Sequence, residues 1–292
     1  MVKRVVVWFL VGKISLLALV CIAGVLYVVS ASVPHYAPTP GHVPAYHFDA
    51  GAPVLSTARS YAIFDATSGA LLAAQDAETP YPVASVTKLP AAAVATVVVP
   101  LEATTTLIWD DIAAEGRAGK LEAGQVYTYR DLLFPLLLES SNDAAAVFER
   151  AYHDQVVTAM NEIVTAYGAS PATRFVDTSG LSDRNVATAR DLALITTGLY
   201  AAHPYIFDIT TLSQYISSET GWINNSPVAH EEGYLGGKHG YTEAAGRTIV
   251  ALFDESFTAG RRQVGYVVLG SSNLAADVAA LREFVRSSVR FE

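Results

Sequence analysis

Between Val5 and Val29 the chain is apolar at almost every position, interrupted only by Lys13 and Ser15. Such a run limits the fold more than any other feature of the sequence. As a helix it would span roughly 37 Å at about 1.5 Å per residue, enough to cross a bilayer. A buried helix of a soluble domain is the plainer reading, but it accounts for neither the basic residues before the run nor the proline-rich stretch after it.

The charges support the membrane reading. Lys3, Arg4 and Lys13 are the only charged residues before Asp49. The formal net charge of −9 therefore divides into +3 at the start and −12 over the remainder. A basic start stays in the cytoplasm while the rest of the chain is exported. As a signal peptide, the segment could instead be cleaved after Ala31, where Val29-Ser30-Ala31 supplies small residues. The length of the run favours an uncleaved anchor over residues 1–29. Cys21 is an apolar filler, because Val20 suits a lipoprotein site poorly.

Residues 30–56 read as a linker. Pro34, Pro38, Pro40, Pro44 and Pro53 fall there with Gly41 and Gly51. Extended as polyproline, this stretch would reach roughly 80 Å at about 3.1 Å per residue. His35, His42 and His47 are scattered in it, a pattern that usually binds nothing. Residues 57–292 are left as the folded domain. The acidic balance argues against a nucleic-acid partner, which needs a basic face. A hydrophobic content of 51% excludes a disordered chain. The single cysteine excludes an internal disulfide framework and a cysteine-based zinc cluster.

Within the domain, Ser60–Phe64 and residues 70–75 pair as a hairpin around the turn chemistry of Asp65 to Gly69. Ser85–Val98 is a buried helix, with a kink expected at Pro90. Thr128-Tyr129-Arg130-Asp131 and Thr188-Ala189-Arg190-Asp191 are capping boxes that open helices. Gln155–Tyr167 is a helix stopped by Gly168. Thr248–Phe253 and Gln263–Leu269 are strands, and Ala275–Val289 is a closing helix. Strands from both ends with helices between them predict an α+β fold, in which an antiparallel sheet carries a helical lobe.

Three short motifs could carry chemistry. Ser85-Val86-Thr87-Lys88 places a serine and a lysine on one helix face. Such a lysine can take the serine's proton if burial keeps it partly neutral. Ser140-Ser141-Asn142 offers a proton relay and an amide holder. Ser271-Ser272-Asn273 repeats the triplet, but after the last strand, where it reads as an incidental turn. Gly236-Gly237-Lys238-His239-Gly240, followed by Tyr241, puts a cation on a strand that substrate backbone can approach closely. Taken singly, each has an ordinary explanation: surface polar residues, a turn, a glycine-rich hairpin.

In order and spacing, the three motifs resemble those of the penicillin-binding serine D-alanyl-D-alanine carboxypeptidases, which have a β-lactamase/transpeptidase-like fold. The resemblance extends from Tyr61 to Val289. It includes Tyr61 to Ser85, Asp131 to Ala144, Phe175 to Leu181, Thr188 to Leu192, and Lys238 to Thr242 with Gly246. It implies that Ser85 attacks the carbonyl between two D-alanines of a peptidoglycan pentapeptide. Lys88 would be the base, Ser140 the relay to the leaving amine, and Asn142 the orienting amide. Lys238 would fix the terminal carboxylate, with His239, Gly240 and Tyr241 lining the substrate. The N–H groups of Ser85 and Tyr241 would form the oxyanion hole. β-Lactams would inhibit, no metal or organic cofactor would be needed, and the domain would work in the cell envelope.

Two residues depart from the family's pattern. His239 replaces the usual hydroxyl residue; it could block the pocket, or donate a hydrogen bond with a charge that follows pH near neutrality. Pro90 sits in the nucleophile's helix. No β-rich domain or membrane helix follows the last helix, so the N-terminal segment is expected to do the anchoring. A class A β-lactamase is a rival, but the stretch from Phe175 to Ala187 lacks the glutamate that such enzymes use for deacylation. A DD-endopeptidase would use the same residues. A catalytically silent wall-binding scaffold is the remaining alternative.

Overall fold

Ser60–Asp65 and Val264–Leu269 are buried without a break, which marks strands covered on both faces and explains their nearly continuous apolar character. In the computed structural model, which describes residues 46–48, 54, 56–116, 118–218, 220–258 and 260–291, these segments are neighbours in one sheet. Residues 1–29, read as a membrane segment, and most of 30–56, read as a linker, lie outside the described residues.

The sheet has five antiparallel strands: β1 (Ser60–Asp65), β2 (Leu71–Gln75), β3 (Tyr234–Thr242), β4 (Gly246–Phe257) and β5 (Gly260–Ser271). Their order is β3-β4-β5-β1-β2. The first and last strands of the domain therefore meet in the middle, at Tyr61↔Val268 and Ile63↔Tyr266, as the sequence predicts. Tyr46–Phe48, inside the stretch read as a linker, forms a short strand paired with Val289–Phe291.

The helices are α1 (Lys88–Val98), α2 (Tyr129–Leu138), α3 (Asn142–Ala166), α4 (Ala189–Ala202), α5 (Pro204–Thr211) and α6 (Leu274–Ser288). Helix α6 covers one sheet face, where Val278, Leu281 and Val285 pack on Ile249, Phe253 and Tyr266. Helix α4 lies against β1 and β5, on the side of the helical lobe. Phe64 lies across its strand partner Gly265, where a Cβ would come within 2.0 Å of the ring; only glycine fits beneath that ring.

Both threonines cap their helices, but the reciprocal half of the box is not made at Thr188, whose N–H donates to Thr173 Oγ1 at 3.2 Å while Asp191 accepts from Ser170 and Thr173. The Thr128 hydroxyl accepts from Asp131 N at 3.0 Å, and Thr188 does the same for Asp191 N at 3.0 Å. Gly168 closes α3 with φ of 74°, the left-handed end that glycine favours. Three expectations are corrected. The chain around Ser85 is a 3-10 turn, Ala84–Thr87, and the α-helix starts only at Lys88. Pro90 is therefore in the first helical turn, where its missing N–H has no intrahelical partner to lose, and no kink results. Helix α3 begins at Asn142 rather than near Gln155, passing through one non-helical residue, Tyr152, at φ −142°.

A buried ion pair joins α6 to the sheet. Glu255 is fully buried and accepts from Arg282 Nε at 2.6 Å, Arg286 Nε at 2.9 Å and the Tyr266 hydroxyl at 3.1 Å. Arg282 also lies 3.7 Å from the Phe253 ring centroid. Removing the carboxylate leaves the buried Arg282 with only Glu231 at 3.5 Å and the Glu232 carbonyl at 2.7 Å, a loss of about 3 kcal/mol, the lower end for a broken buried pair. Glu255→Ala should lower stability by that amount in urea unfolding; a change within about 0.5 kcal/mol, typical of neutral surface positions, would refute this role.

Candidate active site

The short turn at Ala84–Thr87 sets the geometry of the centre. In a 3-10 helix residues i and i+3 eclipse each other, so Ser85 and Lys88 face the same way. Lys88 is fully buried. Its Nζ donates to Ser85 Oγ at 2.9 Å, to Asn142 Oδ1 at 2.7 Å and to the Ser179 carbonyl at 2.6 Å. Those acceptors come from the turn, from the start of α3 and from the loop between α3 and α4. Burial pulls the Lys88 amine down to about 7, against the nearby negative charge of Asp177, which holds it up.

Three acceptors match the three N–H bonds of an ammonium ion. After one proton leaves, the amine keeps two donors, for Asn142 and Ser179, and turns its lone pair to Ser85. The same arrangement then makes Ser85 the donor and Lys88 the acceptor, the relation a general base needs.

Asn142 is fixed from both ends, since its Nδ2 donates to the Glu115 carbonyl at 2.6 Å. Its other Nδ2 hydrogen remains for the cleft. Ser140 lines that cleft with φ of 60°, a strained conformation for a non-glycine residue. It is not among the acceptors of Lys88.

Strand β3 is an edge strand, so one row of its backbone groups is unpaired by β4. It runs directly past the turn: a Cβ on Gly240 would sit 2.4 Å from Ser85 N. His239, Gly240 and Tyr241 line the cleft, with a volume of about 1090 Å³, beside Ser85, Ser140 and Asn142. Lys238 lies behind it, buried, with Nζ on the His239 carbonyl at 2.7 Å. Burial and then the charge of Lys88 hold Lys238 well below its ordinary value. The His239 imidazole is pulled down to about 3 by burial, then by Lys238, Lys88 and Arg247. It is therefore neutral throughout the physiological range, not titrating near neutrality as its sequence position suggested.

Sequence reasoning missed three contributors. Arg247 on β4 is an exposed cation lining the cleft, 5.4 Å from the Tyr241 ring centroid; only the register Tyr241↔Arg247 reveals it. The Ser179 carbonyl is a backbone group and leaves no residue-type signal. Asp177 collects Ser179 N at 2.9 Å, Gly180 N at 2.6 Å and Ser182 N at 3.1 Å. The spacing Asp177 to Gly180 is turn chemistry that could have been recognised. The repeated triplet at Ser271 caps α6, with Asn273 Oδ1 accepting from Ala276 N at 3.3 Å. Ser272 and Asn273 also reach the rim of the cleft.

Residues 48–273 match the family model described as D-alanyl-D-alanine carboxypeptidase. The chain belongs to that family. It is 33% identical over 223 residues to a D-alanyl-D-alanine carboxypeptidase, DacB2, of Mycobacterium tuberculosis, covering 73% of this chain and 75% of the relative. It is 28% identical over 247 residues to a D-alanyl-D-alanine endopeptidase of Pseudomonas aeruginosa, covering 77% and 76%. The crystal structure of a D-alanyl-D-alanine carboxypeptidase from M. tuberculosis superposes with a TM-score of 0.74 at 26% identity, over 84% of this chain and 99% of that one. The fold is the α+β, transpeptidase-like one, and the protein is a serine-type D-alanyl-D-alanine carboxypeptidase.

A methyl group on Gly240 would force β3 away from Ser85 N. With Ser85 N as an oxyanion donor, the role the resemblance implies, losing it would cost about two to three orders of magnitude in rate. Gly240→Ala should slow acylation by labelled penicillin to that extent while the protein stays folded. An unchanged rate would show that the close approach of the strand is unimportant.

Proposed function

We propose that Ser85 is the nucleophile of this hydrolase and that the substrate is the D-alanyl-D-alanine end of a peptidoglycan stem peptide. The observation that supports this reading is the set of three acceptors around Lys88 Nζ, with its amine near neutrality at about 7.

Neutral Lys88 takes the Ser85 Oγ proton as Oγ bonds to the scissile carbonyl carbon. The carbonyl oxygen becomes an oxyanion, held by the N–H groups of Ser85 and Tyr241. The C–N bond then breaks. The proton on Lys88 returns to the departing amine, with Ser140 on the cleft wall as the relay once substrate fills the cleft, and D-alanine leaves. Water attacks the ester and loses a proton to Lys88, which passes it to Ser85 Oγ as the ester bond breaks, releasing the shortened peptide with the serine and the neutral lysine restored. Arg247 meets the terminal carboxylate at the cleft surface, while Lys238, the cation the motif offered for that carboxylate, lies buried behind it on the His239 carbonyl. β-Lactams offer the same carbonyl and carboxylate and acylate the same serine. The basic, apolar start of the chain supports a working position outside the cytoplasmic membrane, anchored by residues 1–29.

Acylation needs Lys88 neutral, so its rate should rise with pH and reach half its plateau near pH 7. Ser85→Ala should abolish labelling by fluorescent penicillin; label retained in that variant would remove Ser85 from its role. Released D-alanine from a pentapeptide measures carboxypeptidase action, and cleavage of a cross-linked dimer measures the endopeptidase action named for one relative. His239→Thr should change substrate KM with labelling retained and the pH midpoint unmoved, because the imidazole carries no charge above about pH 3. A midpoint that moved would show that His239 titrates in the working range.

A further inference from the structure

The loop from Asp177 to Asn185 is tied into a knot by one side chain. Asp177 Oδ1 accepts from Ser179 N at 2.9 Å, Ser179 Oγ at 3.0 Å and Gly180 N at 2.6 Å. Its Oδ2 accepts from Ser182 N at 3.1 Å and Asn185 Nδ2 at 2.8 Å. Five donors on one carboxylate fix the loop in one shape. That shape presses the loop onto the nucleophile's turn. Gly180 has φ of 82°, and a Cβ there would come within 2.0 Å of the Ala84 carbonyl. The Ser179 carbonyl is thereby aimed at Lys88 Nζ, 2.6 Å away.

We propose that Asp177 is a positioning residue for the reaction: it fastens the loop whose Ser179 carbonyl holds Lys88 Nζ beside Ser85. The proposal rests on Lys88 being the base of the reaction.

The other charged and titratable groups around Lys88 do not offer this service. Lys238 and His239 approach from β3 and oppose a charge on Lys88 or leave it unaffected. On α3, Glu149 is engaged by Thr178 N and by His153, so it braces the loop from outside. Asp143 is buried on the same helix, next to Asn142. From β4, Arg247 is exposed at the cleft mouth. Asp177 is the negative group whose attraction holds the Lys88 amine up against burial. Without it, burial alone would leave Lys88 neutral at lower pH. The nucleophile would then be primed over a wider range, but with a looser carbonyl guide.

The sign of the effect makes it testable. Removing the negative charge disfavours the protonated amine, so the acid limb of the acylation profile must move to lower pH. In the full-length protein, the second-order rate of labelling by fluorescent penicillin is measured from pH 5 to 9 for wild type, Asp177→Asn and Asn185→Ala. Asn185→Ala removes a donor to Asp177 Oδ2, a bond to Ser182 O and the Oδ1 acceptor of Val176 N and Asp177 N, but leaves the charge. Asp177→Asn should lower the acid-limb midpoint by about one pH unit, the smaller end of what a nearby opposite charge contributes. Asn185→Ala should slow acylation at every pH with the midpoint unmoved. If Asp177→Asn does not fold, Ser182→Arg replaces it: the Ser182 N–H to Asp177 is kept, and the added cation lowers the midpoint by weakening the same field. A folded Asp177→Asn with the wild-type midpoint would overturn the proposal. So would an unmoved midpoint in Ser182→Arg where Asp177→Asn fails to fold. Failure of the wild type to be labelled at any pH would instead sink the reading of Ser85 and Lys88, and is thus distinguishable.

Discussion

A buried amine is the constraint around which this domain is arranged. Lys88 has no contact with solvent, and an unpaired ammonium ion there would cost several kcal/mol. It is tolerated because three acceptors from three separate segments meet at Nζ. Each segment is held by something else. The 3-10 turn is pinned between Gly180 and Gly240, either of which would clash with it if it carried a side chain. The start of α3 is capped by Ser141, whose Oγ accepts from Ala144 N at 3.0 Å. The loop carrying Ser179 is knotted by Asp177. The cost of burial thus becomes the chemical device, since desolvation brings an ordinary lysine into the range where it can serve as a base at neutral pH.

The sheet supports this centre from a distance. Its middle strands come from opposite ends of the domain, so closing the sheet brings the C-terminal hairpin, and with it β3, alongside the turn that follows the N-terminal hairpin. The edge position of β3 matters chemically. An edge strand leaves one row of backbone groups free, ordinarily a liability. Here that row borders the cleft, where an extended peptide can lie against it.

Much of this is legible in the chain itself. The β-rich run of Ser60 to Phe64 and the strands after Thr248 point to the sheet. The capping boxes at Thr128 and Thr188 mark two helix starts, and the three motifs in order mark the site. Other features are hidden for physical reasons. A 3-10 turn and an α-helix share a residue pattern over four positions, so the break at Lys88 cannot be seen, and with it the harmlessness of Pro90. Asn142 looks like a loop residue because asparagine favours turns, yet it opens the longest helix among the described residues. Carbonyl groups have no sequence signature, which conceals Ser179. Arg247 is identified only by strand register. The neutrality of His239 stems from burial among cations, a property of packing rather than of the motif that contains it.

The central claim is that Lys88 loses its proton near neutral pH. The direct measurement is an NMR titration of the lysine Cε and Nζ resonances, assigned by comparison with a Lys88→Arg variant. A midpoint near 7 is predicted for Lys88. A resonance that stayed protonated up to the ordinary lysine value of about 10.4 would contradict the account, because a permanently charged Lys88 could not accept the serine proton.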